Sequence, residues 1–160
     1  MRINTYDLRL NEDRVTTLFK ESSQNYSAMT ALNATEKVPK LMNDVFDLKN
    51  KPEERVYMIA LSISFKVMGV FEISSGDLGS ASLSIRKIFS RALIVGAYQI
   101  IIVHNHPSGQ AYPSHEDREA TKKLIEAGRL LGVHLTDHVI VAENDYFSFA
   151  DNGEMVDLAK

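Results

Sequence analysis

The sequence predicts an α/β fold in which helices flank a mixed β-sheet. Short apolar runs alternate with longer amphipathic segments, a pattern typical of strands that alternate with helices. Two of the apolar runs are separated by a short polar turn, which predicts an antiparallel hairpin within the sheet. The chain has 160 residues, of which 44% are hydrophobic and 24% charged. A chain of this size and composition can bury a core without disulfides.

Residues 1–35 are predicted to form an N-terminal extension or linker, and residues 36–160 the main domain. Alternating polar and apolar side chains predict a strand in residues 1–11. Residues 13–20 suit one or two helical turns. Residues 22–34 are rich in Ser, Asn and Thr, a composition typical of a loop.

The main domain is expected to begin with a helix over residues 35–48. Its apolar side chains recur at helical spacing, and Pro39 falls in the first turn, where a missing N–H does least harm. Residues 56–61 and 67–74 form the predicted hairpin. Two glycines mark the loop that follows, Gly76 and Gly79.

Two further helices and three strands are predicted in the second half. Ser84 is placed to cap a helix that ends near Gly96. A strongly apolar strand over residues 99–104 is expected near the sheet centre. The clearest helix covers residues 114–131 and ends at Gly132. Four residues form its predicted core stripe: Ala120, Leu124, Ala127 and Leu131. Residues 133–141 and 146–149 complete the predicted sheet.

His104 and His106 leave the predicted central strand. Side chains two residues apart on an extended chain point to the same side, so both imidazoles can face one point. Asp117 opens the next helix, and the loop between them allows its carboxylate to return over the strand end. Two imidazoles and a carboxylate suit Zn²⁺, which in catalytic sites keeps a fourth position for water.

The chain contains no cysteine, which restricts the chemistry further. Any metal site must use histidines and carboxylates, and thiol nucleophiles are excluded. Nucleobase deaminases are excluded as well, because their zinc site requires a Pro-Cys-x-x-Cys segment.

Glu72 and Ser114 are the predicted catalytic residues. Glu72 lies in the middle of an apolar strand, and we expect it to accept a proton from water at the metal. The alternative is a solvent-facing strand residue. Ser114 is expected to donate a hydrogen bond to an oxyanion. It also begins a Ser-x-x-acid pattern that predicts a helix capping box, which is compatible with a ligand role for Asp117.

Asp137 and His138 precede an apolar strand segment. We interpret them as a polar pair at the end of a strand. In the alternative, Asp137 accepts the free N–H of a ligand imidazole.

These motifs together resemble the JAMM signature of JAB/MPN metalloprotease domains. The residues that carry the resemblance are Glu72, His104-x-His106-Pro107-Ser108-Gly109 and Ser114-x-x-Asp117. The segments VHNHPSG, PSHED and TDHVIV resemble the RadC-like branch most closely, and the similarity runs from Val38 to Phe149. The resemblance implies a cytidine-deaminase-like fold with one Zn²⁺ ion. Its implied residue roles are ligands at His104, His106 and Asp117, a general acid/base at Glu72 and an oxyanion donor at Ser114.

The leading functional hypothesis is zinc-dependent hydrolysis of a peptide or isopeptide bond, since relatives in the superfamily cleave isopeptide bonds on ubiquitin-like modifiers. A peptide or protein substrate is therefore expected. The alternative is a RadC-like DNA-repair-associated binding module with a structural or vestigial zinc. The net charge of −3 does not favour nucleic-acid binding. No glycine precedes Gly69, so we expect no helix-hairpin-helix in that segment.

A small basic face on one helix is the feature that supports nucleic-acid binding: Arg86, Lys87 and Arg91. No apolar run approaches the ~20 residues of a membrane span, so no membrane partner is predicted. The lack of cysteines and of an apolar signal core predicts a cytoplasmic protein. These patterns predict no particular oligomeric state.

Overall fold

A computed structural model describes residues 1–76 and 83–159 and shows a seven-stranded mixed sheet flanked by helices. The strands are β1 (Arg2–Leu10), β2 (Thr16–Asn25), β3 (Arg55–Leu61), β4 (Val67–Ser75), β5 (Gln99–Asn105), β6 (His134–Val141) and β7 (Tyr146–Ser148). The helices are α1 (Lys37–Phe46), α2 (Ile85–Ile94), α3 (His115–Leu131) and α4 (Glu154–Leu158), with a 3₁₀ turn at Leu48–Asn50.

The strand order is β2-β1-β4-β3-β5-β6-β7. Strand β1 runs parallel to β4, and β5 runs parallel to β6. The other neighbouring strands are antiparallel. The predicted α/β class with a mixed sheet is therefore confirmed. Within the described residues, no helix combines the length and the apolar character that crossing a membrane requires.

The two faces of the sheet carry separate core clusters. One cluster packs against α1 and includes alternate residues of β3: Tyr57, Ile59 and Leu61. The other packs against α2 and α3 and includes the intervening residues: Val56, Met58 and Ala60. Successive side chains of a strand point to opposite faces, so membership of a cluster identifies the face on which each candidate residue lies.

The N-terminal segment differs from its predicted structure. Strand β2 occupies residues that were expected to form helical turns and the start of a loop. It pairs with β1 along its length, from Thr16 opposite Leu10 to Asn25 opposite Arg2. These cross-strand contacts outweigh weak local propensity, as they often do in hairpins. Strand β1 also pairs with β4, so residues 1–35 contribute two strands to the sheet. The domain boundary at residue 35 stays a prediction.

The other predicted elements are close to those observed. Helix α1 begins at Lys37 with Pro39 as its third residue, and β3 and β4 form the predicted antiparallel hairpin. The Ser84 hydroxyl caps α2 by accepting from the Lys87 N–H at 3.3 Å. Strand β5 is buried along its whole length and lies beside β3, the middle strand. Gly76 follows β4, and the predicted turn residue Gly79 lies outside the described residues.

The buried stripe of α3 is rotated from the predicted one. The residues that it buries are Asp117, Thr121, Leu124 and Gly128, whereas Leu131 is 43% exposed. Two of the buried residues are polar and a third has no side chain, so apolar periodicity could not identify this face. The stripe begins with Asp117, so the buried face of α3 also carries a candidate ligand.

Gly128 allows α3 to approach the start of β6. A Cβ added there would overlap the carbonyl oxygen of Val133, although the helical backbone itself would accept alanine. We expect Gly128→Ala to destabilise the chain by about 1–3 kcal/mol, the usual cost of overpacking. This loss should appear although alanine has a higher helix propensity than glycine. Urea unfolding would measure the change. Gly132→Ala is the control, because Gly132 has open space but φ of 70°, so about 1 kcal/mol is expected there. Unchanged or increased stability of Gly128→Ala would contradict the predicted overlap with Val133.

Candidate metal centre

The candidate site lies where β5 ends and α3 begins. His104 is fully buried in β5 and pairs with Val56 of β3, so it lies on the sheet face covered by α2 and α3. His106 follows the strand, and its N–H donates to the Val141 carbonyl at 2.9 Å. Asp117 is the third residue of α3 and is buried. Strand alternation and the helix start thus bring the three side chains to one place.

Their donor atoms are close enough to share one ion. The Nε2 atoms of His104 and His106 are 3.0 Å apart. The nearest Asp117 oxygens lie 3.3 Å from His104 Nε2 and 3.7 Å from His106 Nε2. Bonds of about 2.0–2.1 Å at tetrahedral angles separate neighbouring ligand atoms by about 3.3 Å. The chemistry and spacing of this group therefore fit a metal ion, with all three donor atoms within 4.8 Å of one another.

A capping box at the start of α3 orients the Asp117 carboxylate. Asp117 Oδ2 accepts hydrogen bonds from the Ser114 N–H at 2.8 Å and the Ser114 hydroxyl at 2.6 Å. Ser114 Oγ accepts in turn from the Asp117 N–H at 3.1 Å. The predicted capping box is confirmed. Because Oδ2 is occupied by the cap, Oδ1 is the oxygen that faces His104 Nε2.

Burial and mutual contact set the charge of the group. Burial, together with neighbouring His138, lowers the pKa of His104 well below its usual value, although Asp117 opposes the shift. Burial also acts to lower the pKa of His106, but bonded Asp117 and the Gln110 carbonyl outweigh it and raise that pKa. Burial acts to raise the pKa of Asp117, yet His106, His104 and Ser114 hold it below its usual range. The lowered pKa values of Asp117 and His104 favour an ionised carboxylate and a neutral imidazole, the forms that bind a cation. The raised pKa of His106 favours a protonated ring, so a cation bound there would displace a proton.

Glu72 does not lie with this group, which corrects its predicted position. It pairs with Tyr57, a member of the core cluster on the α1 side of the sheet. Its Oε2 accepts from the Tyr57 hydroxyl at 3.1 Å, and Arg55 lies 3.4 Å away. The side chain therefore points to the face opposite His104. The sequence identified Glu72 as an unusual strand acid. Its place in the alternation of β4, opposite Tyr57, puts its side chain on the sheet face away from the candidate metal centre.

Among the described residues, two acids besides Asp117 line the cleft at the candidate ligands: Glu54, which is half-buried, and Glu116, which is exposed. Glu54 is the better candidate for proton transfer, because it is the less exposed of the two. It directly precedes β3, is half-buried, and lines a cleft of about 410 Å³ together with His106, Ser114 and Asp117. Its charge contributes to the raised pKa of His106. Glu54 was not predicted, because the sequence does not show that the start of β3 lies beside the end of β5.

Asn105, between the two histidines, fixes the segment that carries Glu54. Its Oδ1 accepts from the Arg55 N–H at 2.8 Å. Its Nδ2 donates to the carbonyls of Lys51 at 3.2 Å and Glu53 at 3.1 Å. Asn105 is only 1% exposed, so these bonds hold the backbone on both sides of Glu54 against the end of β5.

Ser114 lines the same cleft, but its hydroxyl hydrogen is donated to Asp117. A hydroxyl has one hydrogen to donate. Donation to an oxyanion would therefore require that hydrogen to leave Asp117, which would still accept from the Ser114 N–H. The oxyanion role of Ser114 stays a prediction.

The Asp137–His138 pair differs from both of its interpretations. Asp137 accepts from the Ser148 hydroxyl at 2.6 Å and the Ala150 N–H at 3.0 Å, and burial raises its pKa to about 6. His138, not Asp137, contacts a candidate ligand: its Nε2 lies 2.9 Å from His104 Nδ1. Burial lowers the pKa of His138 to about 4, so its ring is neutral near pH 7.

The predicted basic face on α2 is reduced by an ion pair. Arg91 Nη2 lies 2.9 Å from Asp7 Oδ1, and the arginine side chain is only 13% exposed. Arg86 and Lys87 remain on that helix. Nucleic-acid binding stays a prediction, with salt-dependent DNA affinity as its measure.

Comparisons with known proteins agree with the geometry. A family model for the RadC-like JAB domain matches residues 32–154. A UPF0758 protein of Thermotoga maritima is 36% identical over 127 residues, which cover 75% of this chain and 57% of that protein. A UPF0758 protein of Chlorobaculum tepidum is 39% identical over 114 residues, covering 68% and 51%. One of Symbiobacterium thermophilum is 38% identical over 100 residues, covering 62% and 43%. The chain thus spans about half the length of the curated relatives it matches.

Proposed function

Because the chain belongs to the RadC-like JAB domain family, we propose that it is a zinc-dependent hydrolase of peptide or isopeptide bonds. One observation carries the proposal: His104, His106 and Asp117 bring two imidazoles and a carboxylate within 4.8 Å of one another. This mixed nitrogen and oxygen set with three protein ligands is typical of catalytic zinc sites, which keep one position open.

His104 and His106 would hold the ion through Nε2, and Asp117 through Oδ1. When bound, zinc supplies Lewis acidity, which polarises a carbonyl group and lowers the pKa of water. The protein supplies the position of each ligand. The capping box fixes Asp117, and the Gln110 carbonyl fixes His106 through its Nδ1 at 2.9 Å.

Glu54 is the proposed general acid/base in place of Glu72. It would take a proton from the attacking water as the new C–O bond forms, and return it to the amine nitrogen as the C–N bond breaks. Its half-buried position in the cleft beside His106 supports this role. Ser114 is the proposed oxyanion donor, since it lines the same cleft. Its hydroxyl hydrogen would turn from Asp117 to the oxyanion.

A polypeptide is the proposed substrate. The cleft is open and about 410 Å³ in volume, and its lining includes the 79%-exposed aromatic ring of Tyr112. An open cleft with an exposed aromatic side chain suits an extended peptide better than an enclosed small molecule. A cytoplasmic location remains part of the proposal.

Metal analysis of the purified chain tests the zinc site. After dialysis against metal-free buffer, we expect about one zinc ion per wild-type chain, as in three-ligand catalytic sites, and almost none in His106→Ala. His134→Ala is the control, because His134 is exposed at the start of β6 and outside the ligand group. Hydrolysis of a panel of labelled peptides and lysine isopeptides should stop with chelator and return with zinc. Equal zinc in wild type and His106→Ala would contradict the proposed site.

A further inference from the structure

Two buried polar residues, His138 of β6 and Thr121 of α3, connect His104 to the backbone of α3. Both are 0% exposed. His104 Nδ1 lies 2.9 Å from His138 Nε2, and His138 Nδ1 lies 2.7 Å from Thr121 Oγ1. Thr121 Oγ1 is in turn 2.6 Å from the backbone oxygen of Asp117. A continuous chain of hydrogen bonds therefore ends on a ring that is a candidate metal ligand.

The backbone carbonyl fixes the direction of this chain. A carbonyl only accepts, so the single hydroxyl hydrogen of Thr121 points to the Asp117 oxygen. Thr121 Oγ1 must then accept from His138 Nδ1–H. A neutral imidazole has one N–H, so His138 Nε2 accepts from His104 Nδ1–H. The remaining nitrogen of His104, Nε2, is left with a lone pair that faces His106 and Asp117.

We infer that His138 and Thr121 are positioning residues that hold His104 in the Nδ1–H tautomer, which leaves Nε2 free to bind the metal. This inference rests on the proposed zinc site. His138 is itself held in place, because its ring stacks on Phe149 with centroids 5.0 Å apart and planes 8° apart. Asp117 thereby acts twice: its backbone carbonyl sets the tautomer of His104, and its carboxylate is itself a candidate ligand.

His106 reaches the same tautomer by a shorter route. Its Nδ1 lies 2.9 Å from the Gln110 carbonyl, so that nitrogen carries the hydrogen. With both rings neutral and in the Nδ1–H form, two Nε2 lone pairs face each other 3.0 Å apart beside a carboxylate. A cation between them relieves the repulsion of the two lone pairs, so the tautomers prepare the site for metal.

Long-range ¹H–¹⁵N NMR of the metal-free wild type tests the tautomer directly. At a pH of about 8, above the ordinary histidine pKa, His104 and His138 should both carry hydrogen on Nδ1. Hydrogen on Nε2 of His104 would overturn the inference. This measurement needs neither zinc nor a variant, so it decides even if the proposed zinc site fails.

Two pairs of variants test the effect on metal affinity in the full chain. His138→Phe removes the acceptor but keeps a ring over Phe149, and Thr121→Val removes the hydroxyl at nearly equal volume. We expect zinc affinity, measured by competition with a chelating dye, to fall about 10–100-fold in each variant. This is the usual loss when a residue that hydrogen-bonds to a metal ligand is removed. The conservative variants His138→Gln and Thr121→Ser keep an acceptor and a hydroxyl, so they should stay close to wild type.

The spectrum of bound Co²⁺ reports the geometry of the ligands. It should change in His138→Phe, which removes the hydrogen-bond acceptor of His104, and stay unchanged in His138→Gln, which keeps an acceptor. Wild-type zinc affinity and an unchanged Co²⁺ spectrum in folded His138→Phe would overturn the inference. Failure of the wild type to bind zinc would instead contradict the proposed function, with the NMR result still deciding the tautomer.

Discussion

Glu54→Gln is expected to bind zinc like the wild type and to hydrolyse its amide substrate about 10²–10⁴-fold more slowly, the usual contribution of a general acid/base. Glutamine has nearly the same shape as glutamate but cannot take a proton from water. Glu54 lies in the cleft with His106 and Asp117 without belonging to the ligand group. The loss should therefore appear in kcat, with zinc content unchanged by metal analysis.

Glu72→Gln is the matched control, because it makes the same chemical change on the opposite face of the sheet. Glu72 contacts Arg55 and Tyr57, so its replacement should leave kcat unchanged. The reverse result, with activity lost in Glu72→Gln and kept in Glu54→Gln, would return the catalytic role to Glu72.

The sequence predicted that His104, His106 and Asp117 lie together because their arrangement is local. His104 and His106 share one side of a strand end through the period of two. Asp117 has a fixed offset from the helix cap at Ser114. Rules of this kind depend on neighbouring residues alone, and the structure brings the three side chains together.

Glu54 could not be predicted in the same way, because its place depends on the order of strands. It stands next to the histidines only because β3 runs antiparallel to β5, so that the start of one meets the end of the other. The hairpin of β3 and β4 is visible in the sequence, but the strand beside it is not. Glu72 was preferred because an acid among apolar residues is unusual, yet the face to which it points depends on pairing with Tyr57.

Thr121 and strand β2 were also missed in the sequence, because contacts with residues distant in the chain determine their structure. Thr121 lies on the buried stripe of α3 but was not part of the predicted apolar stripe, because hydrogen bonds to His138 and Asp117 take the place of apolar contacts there. Strand β2 is exposed along most of its length, so burial leaves no alternating apolar pattern in its sequence. In both cases a partner distant in sequence determines the structure.

Asp117→Asn is expected to lower zinc affinity by more than about 100-fold and to keep the cap of α3. The loss should exceed that caused by removing a residue that only hydrogen-bonds to a ligand. The two carboxylate oxygens have different tasks: Oδ2 accepts from Ser114, and Oδ1 lies 3.3 Å from His104 Nε2. An asparagine oxygen can accept both bonds from Ser114. Its NH₂ group would then face His104 with neither charge nor lone pair for a metal. Zinc titration and urea unfolding of the metal-free chain would measure the two effects.

Ser114→Ala should give the opposite result, because it removes the hydroxyl of the cap and leaves the carboxylate charged. Loss of a capping side chain costs about 1 kcal/mol of stability, whereas zinc affinity should fall much less than in Asp117→Asn. The Ser114 N–H still donates to Oδ2 at 2.8 Å, so Oδ1 keeps its direction. Equal loss of zinc affinity in the two variants would show that the Asp117 carboxylate needs the Ser114 hydroxyl to be held in position. Unchanged affinity in Asp117→Asn would remove this carboxylate from the metal site.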